Sequence, residues 1–441
     1  MRRRRGRDGL TRQAGGPPAI EVLRFCRDLI RIDTSNPGST EEAAARYITD
    51  VLARAEVATE VVEPEQGRCS VFARHDGADR SSPALLVHAH LDVVPADPSG
   101  WSYDPLGGIE AEGHIWGRGA VDMKDVAAMM LALQLEIARN EVAPRRTLIF
   151  AYFADEEMGS GLGSKWVVEN RPDLLADATV AMGEMGGFAV PVADGRRLYP
   201  LQSAERGMLW ARIRVPGTPG HAAFSATPNP TARLAEVIER VVALRTDDPP
   251  PDAFRQLVER VRDVLRAPDE DEAALLGRLG AFGRMALKAR ATTFVPTVIS
   301  SGIKVNVIPE EAMVTVDCRF VPGGRENALA AIHSVLDEDM TCEVIASTPG
   351  LSLPTADPFA TACAAAVAAV EPTGVVVPFV LAAGTDAQHL APLGIRGYGF
   401  APLVLEPGFD YPAMFHAVDE RVPIDALVRG YEIFRRVVLN Y

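Results

Sequence analysis

Three apolar runs, each the length of a buried strand and each ending in acidic or imidazole side chains, constrain this chain more than any other feature. ALLV (84–87) leads into HAHLDVVP, TLIFAYF (147–153) into ADEE, and ATVAMG (178–183) into Glu184. Short continuous apolar runs of this kind predict strands buried on both faces, as in a parallel sheet covered by helices. A helix expected from Lys124 to about Arg139 lies between the first two, giving strand, helix, strand alternation. The strand period of two sends His88, His90 and Asp92 to one side. Chemistry on such a sheet gathers beyond the carboxyl ends of its strands.

At 441 residues the chain exceeds the size at which one core normally stops growing, so more than one domain is expected. Helices are predicted near 20–30 and 41–55, and a further strand at SVFARH. After Glu205 the pattern changes. MLWARIRVPG reads as an amphipathic strand, PTARLAEVIERVVALR as a long helix, then a charged helical stretch runs to about Lys288. KVNVIPEEAMVTVDCRFVPG reads as two strands around a turn. The expected fold is therefore α/β: a catalytic domain with a mostly parallel twisted sheet flanked by helices, interrupted by an α+β insertion. The expected division is a disordered basic N-terminus over 1–16, a catalytic domain built from the two segments 17–205 and 323–441, and the insertion over 206–322.

The formal charge of −14 hides an asymmetry, because residues 1–16 carry six Arg and one Asp and leave −19 for the rest. An acidic body disfavours nucleic acid as a partner and tolerates bound cations. No apolar segment follows the basic start, as a signal peptide would require, and no segment reads as membrane-spanning. The five cysteines are widely spaced with no CxxC, which suggests neither a disulfide framework nor a thiolate metal site, and points to a reducing, cytoplasmic setting.

His90 and Asp92, Asp122 in the loop WGRGAVDMKD, the ADEE carboxylates and Glu184 all fall at strand ends or before the first crossover helix. So many carboxylates on one low-dielectric rim repel and are forced to protonate unless cations compensate them. A pair of divalent ions resolves the conflict. Imidazole and oxygen ligands without thiolates suit zinc best, with cobalt or manganese as substitutes, and argue against calcium or magnesium.

HLDVVP, GRGAVDMK, ADEEMG, GEMGG, GTPGHA, KVNVIP with DCRFVPG, GTDA and FHAVDERVP resemble, in order from His90 to Pro423, the successive signatures of the M20 metallopeptidases. That family groups aminoacylases, glutamate carboxypeptidases, dipeptidases and succinyl-diaminopimelate desuccinylases. The resemblance implies a ferredoxin-like dimerisation or lid insertion, a homodimer, and hydrolysis of a C–N bond. It implies that His90 and Glu184 hold one ion, Glu157 and His416 the other, and that Asp122 bridges them. Glu156 is the implied general base, and Asp92 is expected to accept a hydrogen bond from the second nitrogen of His90. His221 is the implied oxyanion donor, often to the partner's site. Asn306, Arg319 and the loop Gly384, Thr385 and Asp386 are implied to bind a substrate carboxylate. A hinge near Glu205 and Pro322 is expected if His221 swings over substrate.

The expected substrate is a small N-acyl amino acid or dipeptide. The alternatives are a desuccinylase or N-carbamoyl amide hydrolase on the same scaffold, or a catalytically silent binding protein. Three residues depart from the family pattern: Ala89, Asp125 and Ser160 stand where glycine is usual, and Asp125 adds a charge beside the bridging position.

Overall fold

The computed structural model describes residues 18–224 and 229–441. The basic segment 1–16 lies outside the described residues. Ten strands form the main sheet, and its centre follows from the apolar runs. Strands Leu148–Phe153, Ala84–His90, Ala178–Gly183 and Arg396–Gly399 lie side by side and parallel. Every residue of Ala84–His90 and Leu148–Phe153 is buried, as expected where helices cover both faces. Antiparallel strands extend the flanks: Ser70–His75 and Thr59–Val62 on one side, Arg197–Glu205 and Leu351–Ser352 on the other. Gly374–Leu381 pairs in parallel with Arg197–Glu205.

Helices Pro18–Ile30, Lys124–Ala138 and Ile424–Asn440 pack together on this body. Lys124–Ala138 is apolar nearly all round and is buried from Lys124 to Glu136, as a helix inside a large core must be. Among the described residues no helix is long and apolar enough to cross a membrane.

A second sheet has the order Thr293–Ser301, Glu311–Phe320, Gly207–Pro216, Thr341–Thr348, antiparallel throughout. Helices Pro230–Ala243 and Arg325–His333 cover one face, with Leu234, Val237, Val241, Ala328 and Ile332 packed on Leu209, Ile213, Val314 and Val316. Along the chain these elements run strand, helix, strand, strand, helix, strand. The other face carries the alternate residues of Gly207–Pro216, including Met208 and Trp210.

This second layer departs from the expected 206–322 boundaries in two respects. It extends past Pro322, because Arg325–His333 and Thr341–Thr348 complete it. And helices Asp252–Leu265, Glu272–Gly277 and Gly280–Lys288 leave it: Phe254, Leu257, Val261, Leu275 and Phe282 join the main core, with Asp252–Leu265 lying on strand Gly374–Leu381. The chain thus passes between the two sheets at residue 206, at 244–251, at 289–292 and at 349–350. Two other features differ from expectation. Strand Thr293–Ser301 was not anticipated, and Val307–Ile308 pairs with Gly220–His221 rather than with the strand that follows it.

Candidate metal centre and catalytic site

The adjacent strands Ala84–His90, Leu148–Phe153 and Ala178–Gly183 end on one rim, and this brings His90, the Asp155 to Glu157 turn and Glu184 together. His90 Nδ1 donates to the backbone carbonyl of Asp92 at 2.9 Å. That bond fixes the tautomer and leaves Nε2 aimed at Asp122 Oδ1 (3.1 Å) and Glu184 Oε2 (3.8 Å). The other oxygen of Asp122 faces His416 Nε2 at 3.3 Å, and His416 Nε2 lies 3.2 Å from Glu157 Oε2. Asp122 therefore stands between two histidines, one oxygen toward each. His90, Glu156 and Glu184 offer ligand atoms within 4.8 Å of one another, as do His90, Asp122 and Glu157.

Asp92 differs from expectation. Its carboxylate lies 3.6 Å from His90 Nδ1, while the carbonyl takes the hydrogen bond. The carboxylate instead accepts from the backbone N–H of Glu156 (3.0 Å) and Glu157 (3.1 Å) and from Asn36 Nδ2 (3.0 Å). It fixes the turn carrying both glutamates, and Asn36 ties that turn further by donating to Asp155 Oδ1 at 3.0 Å. Asp155 itself takes the left-handed conformation (φ 64°), sharpening the turn so that Glu156 and Glu157 diverge.

A buried pair joins the two loops that supply Asp122 and His416. Glu420 accepts from Val121 N–H (2.9 Å) and from Arg118 Nη1 (2.8 Å). Arg118 in turn donates to the carbonyls of Ala417 (3.1 Å) and His416 (3.3 Å). Asp125 is buried and neither oxygen has a hydrogen-bond partner among the described residues. Burial pushes its carboxyl up to about 8, so near pH 7 it is largely neutral and the anticipated extra charge is suppressed. His88 is packed against Phe153, with room made by Gly183, where a Cβ would strike its ring.

The electrostatics of the rim are those of crowded acids. Burial, then the charge of Glu184, raises Glu156 well above the carboxylate range, and burial raises Glu184 to about 7. Burial opposes an imidazolium at His90, but Asp122, Asp92 and Glu184 outweigh it and hold His90 well above its ordinary value. Hydrogen bonds to Asp122 and then Glu157 lift His416 to about 10. The donor set of two imidazoles and several carboxylates, with no thiolate, fits a pair of divalent ions. Glu157 Oε1, buried without a hydrogen-bond partner among the described residues, adds an available lone pair there.

A cavity of about 680 Å³ opens on the cluster, within the roughly 300 to 1,000 Å³ typical of small-molecule sites. Gly384, Thr385 and Arg319 line it. Asp386 does not: its buried carboxylate accepts from Ser160 Oγ (2.7 Å) and Ser164 Oγ, so Ser160 serves to anchor the 384–386 loop. Arg319 is held by Asp317 through two contacts of 2.8 and 3.2 Å.

Arg206, which no motif in the sequence singles out, lines the same cavity. It donates to Ala382 O, Ala291 O and Thr293 Oγ1, all neutral oxygens. Burial and then neighbouring Arg319 bring its pKa down to about 10, so it stays charged. Its only sequence signal was its place directly after Glu205, at the compositional break. His221 and Asn306 lie outside the cavity, His221 exposed on the small ribbon and Asn306 half-buried just before its second strand, with Asn306 Nδ2 3.4 Å from His221 Nε2.

Glu205, beneath the cavity, accepts from Thr385 Oγ1 (2.6 Å), Thr385 N–H (3.2 Å) and Gln202 Nε2 (3.0 Å). Burial outweighs these donors and raises its pKa to about 8. Between about pH 4.5 and 8 the folded chain keeps this proton and the unfolded chain releases it, so stability falls as pH rises through that window. Glu205→Gln is expected to flatten that slope, checked by urea unfolding at pH 5, 6.5 and 8. An unchanged slope rejects the assignment.

A mixed α/β sheet with convergent imidazole and carboxylate groups at its strand ends defines the class: a metallohydrolase scaffold with a small-molecule cleft. The chain belongs to peptidase family M20/M25/M40, whose model matches residues 86–440. It is 28% identical over 378 residues to the N-fatty-acyl-amino acid synthase/hydrolase of Mus musculus, covering 79% of this chain and 72% of that protein. To aminoacylase-1 of Mus musculus it is 26% identical over 427 residues, covering 95% and 93%. Its fold is similar to an M20 family metallo-carboxypeptidase from Sulfolobus solfataricus, with TM-score 0.70, 19% identity, and coverage of 95% of this chain and 98% of that one.

Proposed function

We propose that this protein is a hydrolase of the amide bond in small N-acyl amino acids or dipeptides carrying a free carboxylate, working with two divalent ions, zinc foremost and cobalt or manganese as substitutes. The observation that carries the reading is Asp122, with one oxygen toward His90 and the other toward His416. His90 and Glu184 would hold one ion, Glu157 and His416 the other, and Asp122 would offer an oxygen to each. Bound there, the ions supply a polarised carbonyl and an acidified water.

The chain's own groups do the rest. Glu156 accepts a proton from the attacking water and delivers it to the amide nitrogen as the C–N bond breaks, without which a neutral amide leaves poorly. Asp92 and Asn36 hold the turn that aims Glu156. Arg206, with Arg319 beside it and the backbone of Gly384 and Thr385, receives the substrate carboxylate and thereby sets the amide over the cluster. Arg319 is already engaged by Asp317, so Arg206 carries the larger share.

The second sheet serves as lid and dimerisation layer, now comprising 207–243 and 293–348. His221 and Asn306 lie outside their own cavity, which supports their serving the site of a second copy as oxyanion donor and substrate contact. A hydrolysis screen of N-acyl amino acids and dipeptides on zinc-, cobalt- or manganese-reconstituted protein tests the reading. Free acids are expected to be cleaved and their carboxamides spared. Arg206→Gln should raise KM for the acids about 10- to 100-fold, the range for a hydrogen bond to a charged group, with little change for carboxamides. Equal cleavage of acids and carboxamides by the unaltered enzyme rejects the carboxylate anchor.

A further inference from the structure

We infer that segment 97–102 is a clasp on the solvent side of the 416–420 loop, and that Trp101, Ser102 and Asp419 are positioning residues that decide how tightly His416 serves as a metal ligand. The inference rests on the two-ion reading above and adds what keeps one of its ligands in place. The two histidines of the cluster are held very differently. The His90 side chain is 1% exposed, and its Nδ1 is fixed by the carbonyl of Asp92 at 2.9 Å. The His416 side chain is 53% exposed, and its polar partners among the described residues, Asp122 and Glu157, both face Nε2. No bond of the kind that orients His90 therefore fixes the His416 ring, and the task falls to its backbone.

That backbone needs holding. His416 (φ 57°) and Asp419 (φ 61°) are both left-handed, a conformation that residues other than glycine adopt seldom and keep only where their surroundings over-determine it. Arg118 and Glu420 grip the loop from the buried side, and segment 97–102 grips it from the other. Ser102 donates its N–H to Asp419 Oδ1 at 2.7 Å and its hydroxyl to Oδ2 at 2.8 Å, so one residue occupies both oxygens. Gly100 sits against Val418, whose methyls lie 3.5 and 3.7 Å from where a Cβ would stand. The Arg118 guanidinium lies over Trp101, 5.2 Å from the ring centroid, and the same guanidinium donates to the carbonyls of Ala417 and His416. The clasp is itself anchored. Pro98–Gly100 form one helical turn capped by Asp97, which accepts from Ser99 N–H at 2.9 Å, and beyond it Pro105 O accepts from Arg118 N–H at 2.8 Å. Trp101, Ser102 and Asp419 do not line the cavity, so their effect on the site runs through His416.

Zinc titration of the ion-free full chain by calorimetry tests the inference, with His416→Ala marking the binding step to which that histidine contributes. Ser102→Ala and Trp101→Leu are each expected to weaken that step about tenfold, and the two together about 100-fold, the range for residues that orient a metal ligand. The other step should not change. Asp419→Asn, which still offers an oxygen to the Ser102 N–H and tolerates left-handed backbone, should retain most of the affinity that Asp419→Ala loses. The melting temperature of the ion-free chain should stay put in Ser102→Ala, an exposed position; a purely structural role predicts the reverse, a lower melting temperature with zinc affinity intact. Unchanged affinity in the marked step, or equal weakening of both steps, overturns this inference and leaves the two-ion hydrolase standing. No zinc bound by the unaltered chain overturns both.

Discussion

Glu156→Gln is expected to lower kcat by about 10³- to 10⁴-fold while metal content stays at two ions per chain. Positioned acid–base groups contribute up to about 10⁴-fold, and the proposed role gives one side chain both transfers, so the loss is expected at the upper end. The substitution is nearly isosteric. The Glu156 backbone N–H still donates to Asp92 at 3.0 Å, so the turn keeps its shape and Glu157 keeps its place near His416. The amide of glutamine can neither accept the water proton nor pass it on. Metal analysis and turnover on the same preparation decide the matter. A near-wild-type rate with both ions present excludes Glu156 as the base; loss of both ions with the rate would recast it as a ligand.

Exhaustive chelation is expected to abolish turnover, by at least about 10³-fold given the several kcal/mol that Lewis-acid stabilisation supplies. Zinc, cobalt or manganese should restore it, and magnesium or calcium should not, because the imidazoles disfavour the harder ions. The same treatment should lower the melting temperature. An ion at a hundredfold excess over its dissociation constant adds about 2.7 kcal/mol, and here it also relieves repulsion among buried carboxylates. Affinity should weaken as pH falls, since protons on His90 and His416 compete for the same nitrogens. Full activity after verified metal removal would falsify the two-ion reading.

How much of this was legible in the sequence follows from the range of the signals. The strands that carry His90, Glu156 and Glu184 announce themselves locally, because each is a short apolar run ending in charge. The second layer was harder to delimit. Phe254, Leu257, Val258 and Val261 form an apolar stripe whose pattern is the same whichever core it joins, and only tertiary packing places it on the main sheet. Strand Thr293–Ser301 contains Pro296, which argues against a strand interior; the structure accommodates it on an edge, at a register shift between Pro296 and Val298. Asn36 and Arg206 act on partners far along the chain, and no local pattern flags such contacts. Asp92 was found as a residue, but the choice between its carbonyl and its carboxylate is a matter of ångströms that spacing does not encode.

Among the described residues the polypeptide crosses between its two sheets four times, where the sequence suggested a swivel on two. A body slung from two straps turns freely about the line joining them; one slung from four must flex every strap at once. Arg206 is itself the first strap, and the stretch 289–292 that provides its Ala291 contact is the third. If Arg206 grips an anionic substrate as proposed, that grip and any rocking of the upper layer are expected to be mechanically coupled at this corner of the molecule.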